Sequence, residues 1–310
     1  MLFMKTNRRI QTIAVIGATG KLAVPVVNQL IQSGFDVTAI VRSVERGRAL
    51  LPPRVRLVEG DLRNSASIHA GLRGADAVYI NLATETDRLD RPFYEEREGV
   101  QTIVDAAKSN GLAHIYKIGA GGAYPDTIPS LRRQVVPNLI RLEGQRFIEE
   151  SGIPYTIFDP TMFMDNIPYQ IKGNTLQWIG NAPVQNYWIS SADYARQVLN
   201  AINNPRANNR HYAIQGPELL TAQEVFARFC RVYNPKLTVR SFPLWLVNAM
   251  GLFSPKMRFM GYMFTYFEQT EVEVFRAQST WDDLGKPVVS IEAFAQALKQ
   301  QVHENQPIAA

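Results

Sequence analysis

Short apolar runs alternate with amphipathic segments through the first half of the chain. Residues 13–16 form an unbroken apolar run that ends at Gly17, which is typical of a parallel strand buried on both faces. Apolar positions within residues 22–30 recur at helical spacing, and Gly34 ends that pattern. The predicted strands cover residues 13–16, 37–41, 55–58, 77–80, 115–118 and 155–158. This alternation predicts an α/β protein with a doubly wound parallel sheet, whose ligand crevice lies at the carboxyl ends of the strands.

The pattern changes after Pro160. A loop rich in Asn, Pro and aromatic residues covers residues 161–186, and residues 187–214 return to a strand–helix–strand pattern. From Gly216 onward helical spacing dominates. The predicted division is a sheet domain at 11–215, with an insertion around 161–186 on the side of the lobe, and a smaller, mainly helical lobe at 216–310.

Composition excludes several classes of protein. The chain has 310 residues, of which 46% are apolar and 20% charged, so a disordered chain is excluded. A single cysteine and four scattered histidines exclude a disulfide scaffold and a Cys/His zinc module. The formal net charge of +5 suits a phosphate-bearing ligand but is too diffuse to indicate nucleic acid binding. We expect a small-molecule ligand, no nucleic acid partner, and a monomer or homodimer.

The sequence predicts neither a targeting signal nor a membrane span. Residues 1–5 contain too few apolar positions for a signal peptide. The least polar long stretch, residues 242–267, is interrupted by prolines and charged side chains and is too short to cross a bilayer. It indicates either a monotopic membrane contact or a buried lid, and the lid is favoured. We expect a cytoplasmic protein.

The turn between the first strand and its helix carries the strongest chemical signal. Gly17 permits a tight turn, and Gly20 lets the backbone approach a pyrophosphate at the helix N-terminus. Ala23 replaces the third glycine of the usual pattern, whose role is only close packing of helix and strand. A dinucleotide site is favoured over a purely structural turn. The candidate binding residues here are Gly17, Thr19, Gly20, Lys21 and Leu22.

The end of the second strand distinguishes between two cofactors. An NAD site usually has a carboxylate there for the ribose 2′-hydroxyl, whereas this strand is followed by Arg42, with Arg46 nearby. An arginine at that point pairs with a 2′-phosphate, which favours NADP over NAD. The alternative is an ordinary solvated arginine.

Other strand ends supply further candidates, for which ordinary turn positions are the alternative. Asp61 and Leu62 follow the third strand, where they would flank an adenine. Asn81, Leu82 and Ala83 follow the fourth strand, where they would lie near the pyrophosphate and ribose.

Several motifs, in the same order along most of the chain, resemble the NmrA-like group of atypical short-chain dehydrogenase/reductases. They are IGATG at 16–20, VR at 41–42, GDL at 60–62, GADAV at 74–78, HIYKI at 114–118, SGIPYTI at 151–157, FMDN at 163–166, WISSAD at 188–193 and GPE at 216–218. The resemblance implies a Rossmann-type domain that binds NAD(P), followed by a C-terminal substrate lobe. Members of the group include NADPH-dependent reductases and also redox sensors without turnover.

The resemblance weakens at the positions that carry catalysis in such proteins. No tyrosine here has a lysine four residues later, the pair that makes the usual general acid. Gly119 stands where the group commonly has a serine. Arg141 and Gln145 stand where a lysine or histidine and a glutamate are common, and Asp159–Pro160 replaces an arginine before proline.

Three residues are the candidate replacements for the missing catalytic groups. Lys117 lies in an apolar strand, where a lysine is costly unless it reaches a partner or water. Tyr124 follows a glycine-rich turn, and Arg141 is a candidate clamp for a substrate oxygen. A snorkelling lysine, a structural tyrosine and a surface arginine are the alternatives. Lys117 and Pro160 complete the predicted cofactor-binding set.

Two functional hypotheses remain open at the level of sequence. One is an NAD(P)H-dependent oxidoreductase that transfers hydride to a small apolar quinone-, enone- or carbonyl-type acceptor. Residues 242–267 would line its pocket, although a helical core or a dimer contact is an equal use of such residues, and core packing is favoured for any one of them. The other is an NAD(P)-binding, redox-sensing regulatory protein without turnover. A sugar-nucleotide epimerase or dehydratase is less favoured, because those reactions depend more on the absent tyrosine and lysine.

Overall fold

The alternating pattern of the first half, together with one later strand, folds into a seven-stranded parallel sheet. The computed structural model describes residues 9–125, 135–181 and 183–304. Its strands are β1 (Thr12–Ile16), β2 (Asp36–Val41), β3 (Arg56–Glu59), β4 (Ala77–Ile80), β5 (His114–Ile118), β6 (Tyr155–Pro160), β7 (Met162–Phe163), β8 (Ile171–Lys172), β9 (Thr175–Ile179), β10 (Asn186–Ile189), β11 (Arg210–Ile214), β12 (Leu219–Leu220) and β13 (Thr238–Phe242). The large sheet has the order β3-β2-β1-β4-β5-β6-β11. This is the doubly wound order of dinucleotide-binding sheets, so the predicted fold class is confirmed.

Helices cover both faces of the sheet. The helices of the described residues, including those of the C-terminal lobe, are α1 (Ala23–Gln32), α2 (Val44–Leu50), α3 (Ser65–Gly71), α4 (Glu98–Asn110), α5 (Val136–Glu149), α6 (Ser191–Ala201), α7 (Ala222–Tyr233), α8 (Leu244–Met250), α9 (Pro255–Gln269), α10 (Gln278–Leu284) and α11 (Ile291–Glu304). In β1, Ile13 and Val15 belong to the apolar cluster on one face, and Ala14 and Ile16 to that on the other. Because both faces are covered, residues 13–16 of the strand are all apolar and buried, as the unbroken apolar run predicted.

A third apolar cluster joins the long loop to the C-terminal helices. Met164 and Leu176 of the loop pack with Phe226 and Phe229 of α7 and with Ile291 of α11. Two small sheets, β12-β10-β7 and β13-β9-β8, frame this cluster. The loop around 161–186 therefore packs with the helical lobe, although the exact domain division stays a prediction.

The stretch 242–267 forms two helices with different surroundings. The α9 helix contributes side chains to a cavity, whereas α8 buries only Val247. The expectation of a buried lid is therefore wrong for α8, where apolar composition did not translate into burial. Among the described residues, no helix is both long enough and apolar enough to cross a membrane.

Candidate functional site

The predicted cofactor-binding residues share one edge of the large sheet. Parallel strands place all their carboxyl ends on the same side, and the turns that follow β1 to β4 carry most of these residues. In order along the chain they are Gly17, Thr19, Gly20, Lys21 and Leu22 after β1, Arg42 after β2, Asp61 and Leu62 after β3, and Asn81, Leu82 and Ala83 after β4. Pro160 is the last residue of β6, and Lys117 lies one residue before the end of β5.

The turn after β1 is built against the end of β4. Gly17 has φ +77, and a Cβ atom on it would lie 1.8 Å from the carbonyl oxygen of Asn81. The backbone amide of Asn81 donates to the Ile16 carbonyl over 2.9 Å. This hydrogen bond fixes the backbone of Asn81 beside the turn. Only glycine fits at position 17, because both the backbone conformation and the close approach exclude a side chain.

The same turn leaves backbone amides available at the start of α1. Gly20 donates to the Gly17 carbonyl over 2.9 Å, and Ala23 donates to Gly20 over 3.0 Å. The amides of Thr19, Lys21 and Leu22 have no hydrogen-bond partner among the described residues, and no side chain caps the helix. Free amides at a helix N-terminus suit a phosphate group, so this turn fits a pyrophosphate.

Basic side chains lie within this turn and after the neighbouring strand β2. Arg42 and Arg46 are exposed, and within the described part of the chain neither forms an ion pair. The Lys21 ammonium lies 3.4 Å from the centre of the Tyr169 ring, which brings the long loop against the phosphate turn. Asp61 is exposed, and its Oδ1 accepts from the Arg63 amide over 2.9 Å, so it also stabilises its own turn.

A cavity of about 670 Å³ lies between the carboxyl ends of β5 and β6 and the helical lobe. Its apolar lining includes Pro160, Met162, Phe259, Met263 and Phe267, and its polar lining includes Tyr124, Asn138, Arg141, Gln215, Tyr266 and Glu273. Three predicted site residues, Tyr124, Arg141 and Pro160, are thus brought together. Lys117 is not among the described residues that line the cavity.

Lys117 and Arg141 meet at a carboxylate that sequence reasoning missed. The Lys117 Nζ lies 3.1 Å from Glu96 Oε1 and donates to the Ile118 carbonyl over 2.8 Å. The Arg141 Nε and Nη2 atoms donate to the two oxygens of Glu96 over 2.9 and 2.8 Å. Glu96 and Lys117 are fully buried. A buried ammonium requires such a partner, which fixes the position of both cations.

The electrostatics of this cluster follow from burial and charge. Burial alone would raise the pKa of Glu96, but attraction to Arg141 and Lys117 outweighs it and holds the pKa below its ordinary value. Burial lowers the pKa of Lys117 despite the opposing effect of Glu96. Glu96 is therefore the ionised centre of the cluster. Lys117 contacts it from the protein interior, and Arg141 contacts it from the side of the cavity.

The Asp159 carboxylate occupies the space beside Gly119. A Cβ atom on Gly119 would lie 1.9 Å from Asp159 Oδ1, so no serine fits there while this carboxylate is present. Asp159 Oδ1 accepts from the Ala120 amide over 3.0 Å and from Gln145 Nε2 over 3.3 Å. Three of the departures from the NmrA-like pattern, at 119, 145 and 159, therefore lie in contact with one another and form a single local rearrangement.

His211 holds the other oxygen of Asp159. Its Nδ1 lies 2.9 Å from Asp159 Oδ2, and its Nε2 lies 3.0 Å from Glu149 Oε1. Burial would lower the pKa of His211, but the hydrogen bonds and charges of both carboxylates raise it to about 9. The imidazolium thus neutralises Asp159 beneath the cavity. The scattered position of His211 in the sequence gave no signal of this role.

Glu273 is a carboxyl group in the cavity wall itself. Its Oε2 accepts from the Tyr187 amide over 2.7 Å, and its Oε1 accepts from Gln215 Nε2 over 2.5 Å. Burial raises the pKa of Glu273 above its ordinary value despite these hydrogen bonds. Burial thus disfavours the charged form of a carboxyl group that faces the cavity.

The sheet order, the turn after β1 and the cavity at the carboxyl edge define a nucleotide-binding α/β protein of the doubly wound class. The chain belongs to the NAD(P)H-binding family, whose sequence model matches residues 17–205. This confirms the resemblance to NmrA-like atypical short-chain dehydrogenase/reductases.

Named relatives are about a quarter identical to this chain over the segments that align. The NAD(P)H azoreductase of Xenophilus azovorans is 28% identical over 220 residues, covering 69% of this chain and 71% of that protein. A (4-alkanoyl-5-oxo-2,5-dihydrofuran-3-yl)methyl phosphate reductase of Streptomyces griseus is 29% identical, covering 73% and 75%. The photosystem II assembly factor Ycf39 of Cyanophora paradoxa is 24% identical, covering 75% and 72%.

Solved structures share the fold over nearly the whole chain. The triphenylmethane reductase of Citrobacter sp. in complex with NADP(H) superposes with a TM-score of 0.69 and 18% identity, covering 93% of this chain and 99% of that one. At this identity the similarity establishes the architecture, including the C-terminal helical region.

Proposed function

We propose that this protein is an NAD(P)H-dependent oxidoreductase that transfers hydride to a small apolar acceptor of the quinone, enone or carbonyl type. The observation that carries the proposal is the cavity of about 670 Å³ at the carboxyl edge of the sheet, with a mainly apolar wall and a few polar groups. Relatives named as azoreductase and furanone phosphate reductase support the same reaction class.

The proposed cofactor is NADP, bound across the turn after β1. The unpartnered amides of Thr19, Lys21 and Leu22 fit a pyrophosphate, and Arg42 at the end of β2 fits a 2′-phosphate. The fold is shared with a reductase whose complex contains NADP(H). When bound, the nicotinamide supplies the hydride, and the protein supplies binding, orientation and charge stabilisation.

The cavity residues have distinct parts in this proposal. Arg141 is held rigidly by Glu96 and presents its remaining donors to an acceptor oxygen, on which negative charge develops. Tyr124 lines the same space and orients the acceptor. Lys117 keeps its place as a positioning residue, since it contacts Glu96 rather than the cavity. Glu273 places a carboxyl group with a raised pKa in the wall of the same cavity.

Steady-state oxidation of NADPH against a panel of quinones, enones and aldehydes tests the activity. We expect turnover with at least one apolar acceptor, and a Kd for NADPH below that for NADH. Gly20→Asp would place a carboxylate against the pyrophosphate and should abolish cofactor binding in a fluorescence titration. Arg42→Ala should remove the preference for NADPH without affecting NADH. Unchanged binding by Gly20→Asp would overturn the location of the cofactor.

The second candidate is a cofactor-responsive regulatory protein without turnover. It is favoured by the side chain of Asp159, which fills the place beside Gly119 where a catalytic serine would stand. A relative named as an assembly factor is compatible with it. Tight NADPH binding combined with no oxidation of NADPH by any acceptor in the panel would favour this candidate over the first.

A further inference from the structure

Large apolar side chains project into solvent from one continuous stretch of the helical lobe. Trp245 is 70% exposed, Leu252 81% and Phe253 90%. We call the whole set the exposed apolar patch. Its members are Val239, Phe242, Trp245, Leu246, Met250, Leu252 and Phe253. Scattered exposed apolar residues are common on proteins, but a contiguous group with tryptophan and phenylalanine at its tip marks an interaction surface.

The elements that carry the patch have little part in the core. Every residue of β13 is exposed, and among the described strands β13 pairs only with β9, so it lies at the edge of its sheet. The seven-residue α8 buries only Val247. The turn after α8 then carries Leu252 and Phe253 outward, so the patch forms a projection rather than a groove.

The charged side chains along the stretch of chain that carries the patch have one sign. Residues 225–267 contain six lysines and arginines and no carboxylate, which exceeds the net charge of +5 of the whole chain. Arg228 and Arg258 are paired with Glu218 and Asp87. Arg240 and Lys256, which flank the patch along the chain, are exposed and form no ion pair with any described residue.

We propose that the exposed apolar patch docks on the surface of an anionic lipid bilayer. Tryptophan and phenylalanine favour the membrane–water interface, and basic side chains beside them are attracted to anionic headgroups. A projecting tip inserts into a soft surface without needing a complementary groove. A second copy of this chain fits less well, because a two-fold contact through the patch would bring Arg240 and Lys256 close to the same cations of the other copy.

Docking of this kind also has a geometric consequence for the cavity. The α9 helix begins at Pro255, directly after the patch, and its Phe259 and Met263 line the cavity about one and two turns further on. The bilayer would therefore lie close to the cavity wall, where apolar small molecules concentrate. The docking proposal itself does not depend on the proposed reaction, and its test uses no turnover.

Vesicle binding of the full chain tests the proposal. We expect co-sedimentation with vesicles of equal parts phosphatidylcholine and phosphatidylglycerol, and much weaker binding to phosphatidylcholine alone or at high salt. Trp245 supplies an optical signal, because Trp188 is buried and Trp178 and Trp281 are partly buried. Binding should shift the tryptophan emission to the blue, and Trp245→Phe should remove most of that shift while retaining most of the binding.

Matched variants separate the apolar and the charged contributions. Leu252→Ser with Phe253→Ser should lower the vesicle partition coefficient by about tenfold or more, since both side chains leave water on insertion. Val288→Ser, an apolar residue exposed outside the patch, is the control and should change nothing. Arg240→Gln with Lys256→Gln should weaken binding to anionic vesicles only, with Lys108→Gln on α4 as its control.

Three outcomes would overturn the proposal. The first is the absence of binding to anionic vesicles by the unmodified chain while NADPH binding shows that it is folded. The second is a concentration-dependent dimer in light scattering that Leu252→Ser with Phe253→Ser converts to monomer, which would assign the patch to self-association. The third is equal vesicle binding by the serine variant and the unmodified chain, which would remove the patch from the contact.

Discussion

Glu96 accepts hydrogen bonds from both Lys117 and Arg141 in a position without solvent access. The three side chains differ in how far the charge of each is compensated when one partner is removed. Arg141 makes a two-pronged contact with Glu96 and is partly exposed, whereas Lys117 has no exposed surface. Removing the shared carboxylate therefore leaves a buried ammonium, while removing the ammonium leaves the carboxylate still paired with Arg141.

Glu96→Gln should accordingly lower the free energy of unfolding by about 3–5 kcal/mol, because it leaves Lys117 as an uncompensated buried charge. Lys117→Met should cost less than about 2 kcal/mol, since the apolar replacement has a similar volume and Arg141 still satisfies Glu96. Urea unfolding of both variants measures the difference. Equal losses for the two would contradict this ranking.

A comparison of Lys117→Met with Arg141→Met tests whether Lys117 takes part in the chemistry. If Lys117 only positions Glu96 and Arg141, Lys117→Met should keep NADPH binding and change turnover less than Arg141→Met does. A stable Lys117→Met protein that binds NADPH but has lost turnover would instead place Lys117 at the reacting atoms.

One member of this cluster, Lys117, can be predicted from the sequence. A lysine in an apolar strand signals a buried partner, and Lys117 was singled out for that reason. The partner could not be located, because Glu96 lies 21 residues earlier in a segment without periodic pattern. Asp159 likewise stood out as a departure from the NmrA-like pattern, but its fit against Gly119 depends on the distance between β5 and β6 side chains, which sequence does not specify.

At the scale of elements, two of the recognised motifs contact each other. The Asp165 carboxylate accepts from the Ser191 amide over 2.7 Å and from the Ser191 hydroxyl over 2.5 Å. The FMDN and WISSAD segments are thereby joined at the start of α6, where a carboxylate also suits the helix dipole. Burial raises the pKa of Asp165 above its ordinary value. This contact joins the long loop to the N-terminus of α6.

Asp165→Ala should lower the free energy of unfolding by about 1–3 kcal/mol, since it leaves the buried Ser191 donors without an acceptor. It should also increase proteolytic cleavage within residues 161–186. Asp105→Ala, at an exposed carboxylate on α4, is the control and should change stability by less than about 0.5 kcal/mol. A loop that stays equally protected in both variants would show that its apolar packing alone suffices.

Elements with a strong pattern were predictable and those without one were not. The six predicted strands of the sheet match β1 to β6 to within a few residues, because strands buried on both faces appear as unbroken apolar runs. The two-residue strands β7, β8 and β12 carry no periodic signal. In 242–267 the apolar content was evident, but composition does not specify which helix is covered, and α8 is not.

At the scale of the whole molecule, two histidines give opposite responses to pH. The carboxylates of Asp159 and Glu149 raise the pKa of His211 to about 9, so its stabilising effect is complete below about pH 6.5 and is lost as the pH rises through 9. Burial lowers the pKa of His114 to about 3, so its neutral form supports the fold above about pH 6.5 and loses that support as the pH falls towards 3.

We therefore expect the free energy of unfolding to fall by about 3 kcal/mol between pH 6.5 and 9 because of His211. His211→Gln should remove most of the dependence of the free energy of unfolding on pH between 6.5 and 9. His114→Gln should leave that dependence intact and reduce the dependence below pH 6.5. Urea unfolding at a series of pH values measures both slopes. An unchanged alkaline slope in His211→Gln would show that the Asp159–His211–Glu149 contacts do not bind a proton on folding.

The single cysteine of the chain lies in the lobe that covers the cavity. Cys230 is buried on α7 among the apolar side chains shared with α11, and burial raises the pKa of its thiol. A thiol reagent can therefore reach it only when α7 separates from its neighbours, because the thiolate must form in water. The alkylation rate of Cys230 in the native protein thus measures how often the lobe opens, without any introduced label. A ligand that bridges the lobe and the sheet would lower the alkylation rate.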